Sequence, residues 1–197
     1  MRIYYKHKVR GVFKMSLITK KAIANSLKKL MNTVPLDKIT VKNIVLDCGV
    51  NRQTFYYHFQ DIYDLLGWIY KTEVVGSISS YSTYDGWQKA FLDIFEYVRE
   101  NKKFCMNTLN SMGRDHLEDF LYAQSFSLLM NVINEISANI DVPKKSKEFI
   151  ANFYSFAFIG VLISWMKNNM KEDPELIISN IDKLISGDIR KAILTRS

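Results

Sequence analysis

Proline, glycine and cysteine are all scarce in this 197-residue chain, with three, eight and two copies. Pro35, Pro143 and Pro174 fall where periodic apolar patterns break, so they punctuate helices and do not build a Pro/Gly-rich loop protein. Cys48 and Cys105 are too few for a disulfide framework, and neither stands in a C-x-x-C or Cys/His spacing that would hold zinc. A reducing cytoplasm fits that usage. The three histidines, His7, His58 and His116, are scattered. There is no H-E-x-x-H, no Gly-rich phosphate loop and no G-x-S-x-G, so nothing points to an enzyme, a metal or a cofactor. Internal repeats and low-complexity tracts are also missing.

What remains is 48% hydrophobic, enough for one substantial core and a small satellite domain. With so few breakers, the expected fold class is all-α. The net charge of +7 is unevenly spread: residues 1–75 carry 13 Lys/Arg against 5 Asp/Glu, a net +8, while residues 76–197 carry 14 against 15. The basic excess therefore belongs wholly to the N-terminal part, where it suits a polyanion partner.

That part contains TVKNIVLDCGVNRQTFYYHF, Thr40 to Phe59. Thr40 suits a helix N-cap, with Ile39 and Ile44 spaced as a hydrophobic staple. Gly49 stands where a helix commonly ends in a left-handed residue, and Asn51 suits the cap of a second helix. On that second helix Phe55 and Phe59 share one face, whereas Arg52, Gln53, Tyr56 and Tyr57 share another. One face is core and the other is offered to a partner, the pattern of a helix-turn-helix with its second helix in a DNA groove.

Before it, Ile23, Leu27, Leu30, Met31 and Val34 predict an amphipathic helix from Thr19 to about Thr33. Lys20 and Lys21 at its leading end oppose the helix dipole, which a nearby phosphate would justify. Residues 1–14 are basic and aperiodic. They read either as an arm reaching into a minor groove or as a non-native extension. We expect the second, because Arg10-Gly11-Val12 can be encoded by a purine-rich run resembling a ribosome-binding site just before Met15.

After it, Asp61 and Asp64 open a fourth helix that runs into the mid-seventies. Further helices are predicted over Gly86 to Asn101, Lys102 to Asn110, Arg114 to Ile140, Lys145 to Lys171 and Asp173 to Ser186, with a last turn after Gly187. Phe149 to Met166 carries no charge over a length that could just span a bilayer. Its Asn152, Ser155, Gly160 and Ser164, and lysines at both ends, favour a helix buried in a dimer core over a membrane span. Gly160 would let two backbones approach closely. Phe91, Phe95, Phe104, Met106, Phe120, Phe126, Met130 and Phe153 are soft or aromatic side chains at helical spacing. Most such residues are core, and some are candidates to line an effector pocket between helices.

Thr40-Val41-x-x-Ile44, Cys48-Gly49-Val50 and Thr54-Phe55-Tyr56-Tyr57-His58-Phe59 resemble the fingerprint of the TetR/AcrR family of bacterial transcription regulators. Phe156 to Glu175 resembles the C-terminal region of a Firmicutes subgroup that includes regulators of dihydroxyacetone-kinase operons. The resemblance implies double-stranded DNA as partner and a homodimer whose interface comes from about Lys145 onward, with Phe156, Gly160, Ile163, Ile177, Ile181 and Leu184 as candidates. It also implies a variable effector pocket under the fourth helix. By the family pattern Tyr56, Tyr57, His58 and the amide end at Thr40 would meet phosphates, and Asn51, Arg52, Gln53 and Thr54 would face base edges. Arg52 suits a guanine and Gln53 an adenine. Many relatives carry a lysine where this chain has Ile62, a phosphate contact that Lys20, Lys21 and Lys42 could replace.

The expected organisation is a helix-turn-helix domain at 15–60 and a helical effector-binding and dimerisation domain at 61–197. The expected function is that of a ligand-responsive homodimeric repressor on a pseudo-palindromic operator, in the cytoplasm and not in a membrane. The alternative is an activator whose C-terminal domain docks a co-regulator protein in place of an unknown small-molecule effector.

Overall fold

The computed structural model describes the backbone of residues 2–78, 86–185 and 191, and the side chains of residues 16–73, 86–183 and 191. Every regular element among them is helical: α1 (Arg2–Met31), a 3-10 turn (Leu36–Lys38), α2 (Val41–Cys48), α3 (Arg52–His58), α4 (Ile62–Ile78), α5 (Trp87–Glu100), α6 (Lys102–Leu109), α7 (Arg114–Ile136), α8 (Lys144–Lys167) and α9 (Pro174–Ile185). The all-α expectation holds.

Three boundaries differ from expectation. The first helix begins at Arg2, not near Thr19, so the backbone of residues 2–14 continues α1. Lys20 and Lys21 therefore sit in mid-helix, and the dipole argument for a phosphate beside them no longer applies. Helix α7 ends four residues early, because the chain turns through Ser137 to Ile140 before Pro143 opens α8. Helix α8 also stops four residues early: Asn169 and Met170 adopt positive φ, 68° and 59°, and Met170 N–H donates back to Trp165 O at 2.9 Å. The expected last turn after Gly187 lies outside the described residues.

Helices α1 to α3 form a small head around Ile23, Leu27, Met31, Leu36, Ile39, Ile44, Phe55 and Phe59, all buried. Ser26 Oγ, itself buried, donates to Ile44 O at 3.0 Å, and Lys29 Nζ meets Asp47 Oδ1 at 2.5 Å. These two contacts tie α1 to α2 beside their shared apolar core. Helix α4 runs from the head into a second body, where α7 packs against both α4 and α8. One face of α8 (Ile150, Ala151, Ser155, Phe158, Ile159, Leu162, Trp165 and Met166) is buried in that body. Among the described residues α8 is the one helix long and apolar enough to cross a membrane, and its buried face is the face of a core helix.

Candidate nucleic-acid interface and effector region

The turn between α2 and α3 is built by local chemistry. Thr40 Oγ1 accepts from Asn43 N–H at 3.3 Å, while Asn43 Oδ1 accepts from Thr40 N–H at 2.9 Å, a reciprocal cap that satisfies two amides. Gly49 ends α2 at φ 70°, ψ 23°, the left-handed region where a side chain is strained. Asn51 Oδ1 then accepts from Thr54 N–H at 2.7 Å and starts α3.

Those caps present α3 edge-on to solvent. Phe55 and Phe59 are buried beneath it, while Asn51, Arg52, Gln53, Tyr56 and Tyr57 are exposed, Tyr57 at 79%. Thr54 and His58 are half-buried. Thr40, Lys21 and Lys42 are exposed as well. The structure thus brings the predicted DNA-facing residues to the outer side of the head, with one sharpening: Asn51 uses its side-chain oxygen as a cap and Thr54 is partly covered. Arg52 and Gln53 are the two freely presented polar side chains of that quartet.

Lys20 behaves differently from Lys21. Its Nζ lies 5.3 Å from the centre of the Phe59 ring and 5.8 Å from that of Trp68, a cation held by two π faces between α1 and α4. Trp68 was not foreseen in this role. His58 is pulled below its ordinary pKa, first by burial and then by the nearby Lys20 charge.

A solvent-facing helix carrying Arg52, Gln53, Tyr56 and Tyr57 on a basic head is an arrangement for reading nucleic acid, and the chain matches proteins that do so. Residues 23–67 match the family model described as bacterial regulatory proteins, tetR family, and residues 85–187 match one described as transcriptional regulator C-terminal region. The chain belongs to the TetR family. It is a DNA-binding transcriptional regulator and not an enzyme.

Among relatives of this TetR-family chain is the HTH-type dhaKLM operon transcriptional activator DhaS of Lactococcus lactis, 31% identical over 150 residues, which cover 75% of this chain and 79% of that one. The solved structure of a dihydroxyacetone kinase operon activator DhaS is 28% identical, with a TM-score of 0.68 over 88% of this chain and 97% of that one. NalD, the secondary repressor of the MexAB-OprM multidrug efflux pump in Pseudomonas aeruginosa, shares the fold at 13% identity, with a TM-score of 0.61 over 86% and 94% of the two chains.

The eight candidate pocket residues of this family member do not converge. Under α4 the interior is filled: Tyr70 is fully buried, stacks on Phe120 at 5.1 Å, tilts against Phe104 at 5.2 Å, and donates from its hydroxyl to Thr108 Oγ1 at 3.0 Å. Beside them burial pushes the Cys105 thiol up to about 12. Phe95 packs against Trp165 at 4.9 Å, Phe126 stacks on Tyr122 at 5.7 Å, Met130 is half-buried, and Met106 faces a surface cleft beside Met31 to Pro35. Only Phe91 and Phe153 meet at one cavity, of about 250 Å³.

The dimer candidates split as well. Phe156 (63% exposed) and Gly160 face outward, Ile163 and Ile181 are half-buried, and Ile177 is buried at 5%. The side chain of Leu184 lies outside the described residues. Gly160, Ile177 and Ile181 line one side or the other of a groove of about 970 Å³ between α8 and α9.

Sequence reasoning missed Asn107 of α6, whose amide serves three backbone groups of the head. Its Nδ2 donates to Met31 O at 2.8 Å and Val34 O at 2.7 Å, and its Oδ1 accepts from Leu36 N–H at 2.8 Å. Nothing in the sequence around Asn107 signals that role, because its partners are more than seventy residues away.

Proposed function

We propose that the protein is a homodimeric transcriptional activator in the cytoplasm. Each copy sets α3 on one half of a pseudo-palindromic operator, and the C-terminal domain takes its signal from a docked co-regulator protein. The observation that supports the DNA-reading part is the exposure of Arg52, Gln53, Tyr56 and Tyr57 on the outward face of α3; Arg52 and Gln53 suit base edges, and Tyr56 and Tyr57 suit phosphates. A twofold pair would set its two recognition helices about one helical turn (~34 Å) apart, or somewhat more.

Two observations favour activation through a partner over the ligand-responsive repressor. The relative and the solved structure with the higher identities are both named as operon activators. The space beneath α4 is packed with aromatic side chains, and, among the described residues, the cavity of about 250 Å³ beside Phe91 and Phe153 has no carboxylate, amide or cation in its wall with which to recognise a hydrophilic metabolite. By the names of those relatives, a dihydroxyacetone-kinase operon is the target to try first.

The dimer rests on α8. Phe149, Phe153, Phe156 and Gly160 recur at helical spacing along one solvent-facing stripe, the three phenylalanines 55 to 63% exposed. Apolar surface of that extent suits a twofold partner. A Cβ on Gly160 would meet nothing within 4 Å, so a side chain there is tolerated by the single copy. Gly160→Arg should keep its helix content and melting temperature but elute as a monomer, and bind an operator about tenfold more weakly. Unchanged elution would remove α8 from the interface.

The direct test is to recover the genomic fragments that the purified protein retains at near-physiological salt, and to place them before a reporter. Retained fragments should share a two-fold symmetric motif, and reporter output should rise when the protein and its genomic neighbours are present. Retention without any common motif would sink the operator reading, and a fall in output would reverse the sign.

A further inference from the structure

Lys20, Lys28 and Lys29 lie along α1, and two of them have a carboxylate partner. Lys28 Nζ meets Glu73 Oε2 at 2.7 Å, and Lys29 Nζ meets Asp47 Oδ1 at 2.5 Å. Lys20 has none among the described residues. It is half-buried, and the rings of Phe59 and Trp68 are what its Nζ meets, at 5.3 and 5.8 Å. The carboxylates that follow Phe59 are committed to backbone amides: Asp61 Oδ1 accepts from Asp64 N–H at 2.7 Å, and Asp64 Oδ2 accepts from Gln60 N–H at 3.0 Å. Lys21 and Lys42 are exposed, so water serves their charge. A half-buried ammonium has lost part of that hydration, and two ring quadrupoles return only a share of it. What marks Lys20 out is this missing anion, not its position along α1.

The ammonium stands beside the end of α3. The His58 ring lies 6.4 Å from the Phe59 ring, and the Tyr57 ring lies 4.9 Å from that of His58. His58 feels the charge, since Lys20 follows burial among the causes that pull it below its ordinary pKa. Two groups that each gain from a negative charge therefore adjoin the exposed Tyr57. On the reading of α3 as the DNA-binding helix, on which this inference rests, we propose that Lys20 binds a backbone phosphate of the operator and that Trp68 is the positioning residue that holds its ammonium there. The rings receive the charge in the free protein. They attract it without using up its N–H donors, which stay available to phosphate oxygens. A lysine stem is long and flexible, and Phe59 and Trp68 restrain it before DNA arrives, so less freedom is lost when the phosphate binds.

The test titrates the full-length protein with the selected operator duplex, and with a scrambled duplex of equal length, over a series of KCl concentrations. Each neutralised phosphate contributes about 0.9 to the slope of log K against log salt. Lys20→Met removes the charge and keeps an apolar stem on the rings, so its slope should be shallower by about 0.9 on both duplexes, with affinity about fivefold lower at physiological salt. Trp68→Leu should weaken binding about threefold, and Trp68→Phe, which restores a ring face, should bind as the wild type does. In the Lys20→Met background Trp68→Leu should cost nothing further, because a residue that acts through Lys20 has nothing left to hold. Melting temperatures identify a variant that fails to fold, in which case Lys20→Gln and Trp68→Met take the places of the first pair. An unchanged slope in a folded Lys20 variant, or an equal cost of the Trp68 change in both backgrounds, overturns the assignment and leaves α3 as the reading helix. Inorganic phosphate that stabilises the wild type but not Lys20→Met, with the duplex slope unmoved, would give the cluster to a free anion and overturn it too. A wild type that binds neither duplex overturns it through the DNA reading itself.

Discussion

Replacing Arg52 and Tyr57 together by alanine should weaken binding to the selected operator by about 2–4 kcal/mol at physiological salt, leaving the melting temperature within a degree of wild type. Both side chains project from α3 into solvent, Tyr57 at 79% exposure, and neither packs in the head, so the loss would be one of contact and not of fold. The two contributions differ in kind. A guanidinium bidentate on a guanine is worth ~1–3 kcal/mol of discrimination, so Arg52→Ala should relax one base position. A phosphate contact positions without reading sequence, so Tyr57→Ala should lower affinity by about 1 kcal/mol for every sequence alike. Arg52→Lys should not rescue, since an ammonium cannot reproduce the planar fork. The measurement is competition binding with operator variants. If the double variant binds as wild type does, α3 is not the reading helix.

That prediction could be framed from sequence because the signals behind it are local. A cap acts over three residues, as Thr40 does on Asn43 and Asn51 on Thr54, and a left-handed glycine is a property of one residue. Such features appear in the letters themselves, so α2, the turn and α3 were legible almost to the residue. The effector region was not. Helical periodicity reports that Phe95, Phe104 and Phe120 are buried, but a ring that fills a core and a ring that lines a cavity have the same period. Which of these occurs depends on how neighbouring helices cross. Lys20 makes the same point in the opposite direction. Its charge suggested a phosphate, yet the Phe59 and Trp68 rings receive it, and Trp68 lies 48 positions along the chain on another helix.

The contacts that join the head to the C-terminal body belong to the same long-range class, and Asn107 is their most consequential member. Asn107→Leu should destabilise the protein by about 2–4 kcal/mol. Leucine matches the size of asparagine but leaves Leu36 N–H, Met31 O and Val34 O without their partner, and an orphaned buried group costs ~1–3 kcal/mol. The sum is discounted because these groups line a surface cleft that water can reach. At this chain length each kcal/mol moves the melting temperature by ~2–4 °C, so a fall of roughly 4–16 °C is expected. Asn110→Leu, exposed on the same cleft, should change little and serves as the control. Asn107→Asp keeps the acceptor for Leu36 N–H but loses both donations, so its cost should be intermediate or larger. A second link remains in these variants: Lys28 Nζ bonds both Glu73 carboxylate oxygens at 2.9 and 2.7 Å and Asn101 Oδ1 at 2.9 Å, while Tyr97 donates to Glu73 Oε2 at 2.9 Å. With α1 still tied to α4 and α5 by that network, loss of Asn107 should loosen the loop between α1 and α2 without detaching the head. Amide exchange should therefore accelerate at Leu36 and its neighbours before it does in α3. Wild-type stability in Asn107→Leu would mean that the amide only decorates the cleft and that the head is held by apolar packing alone.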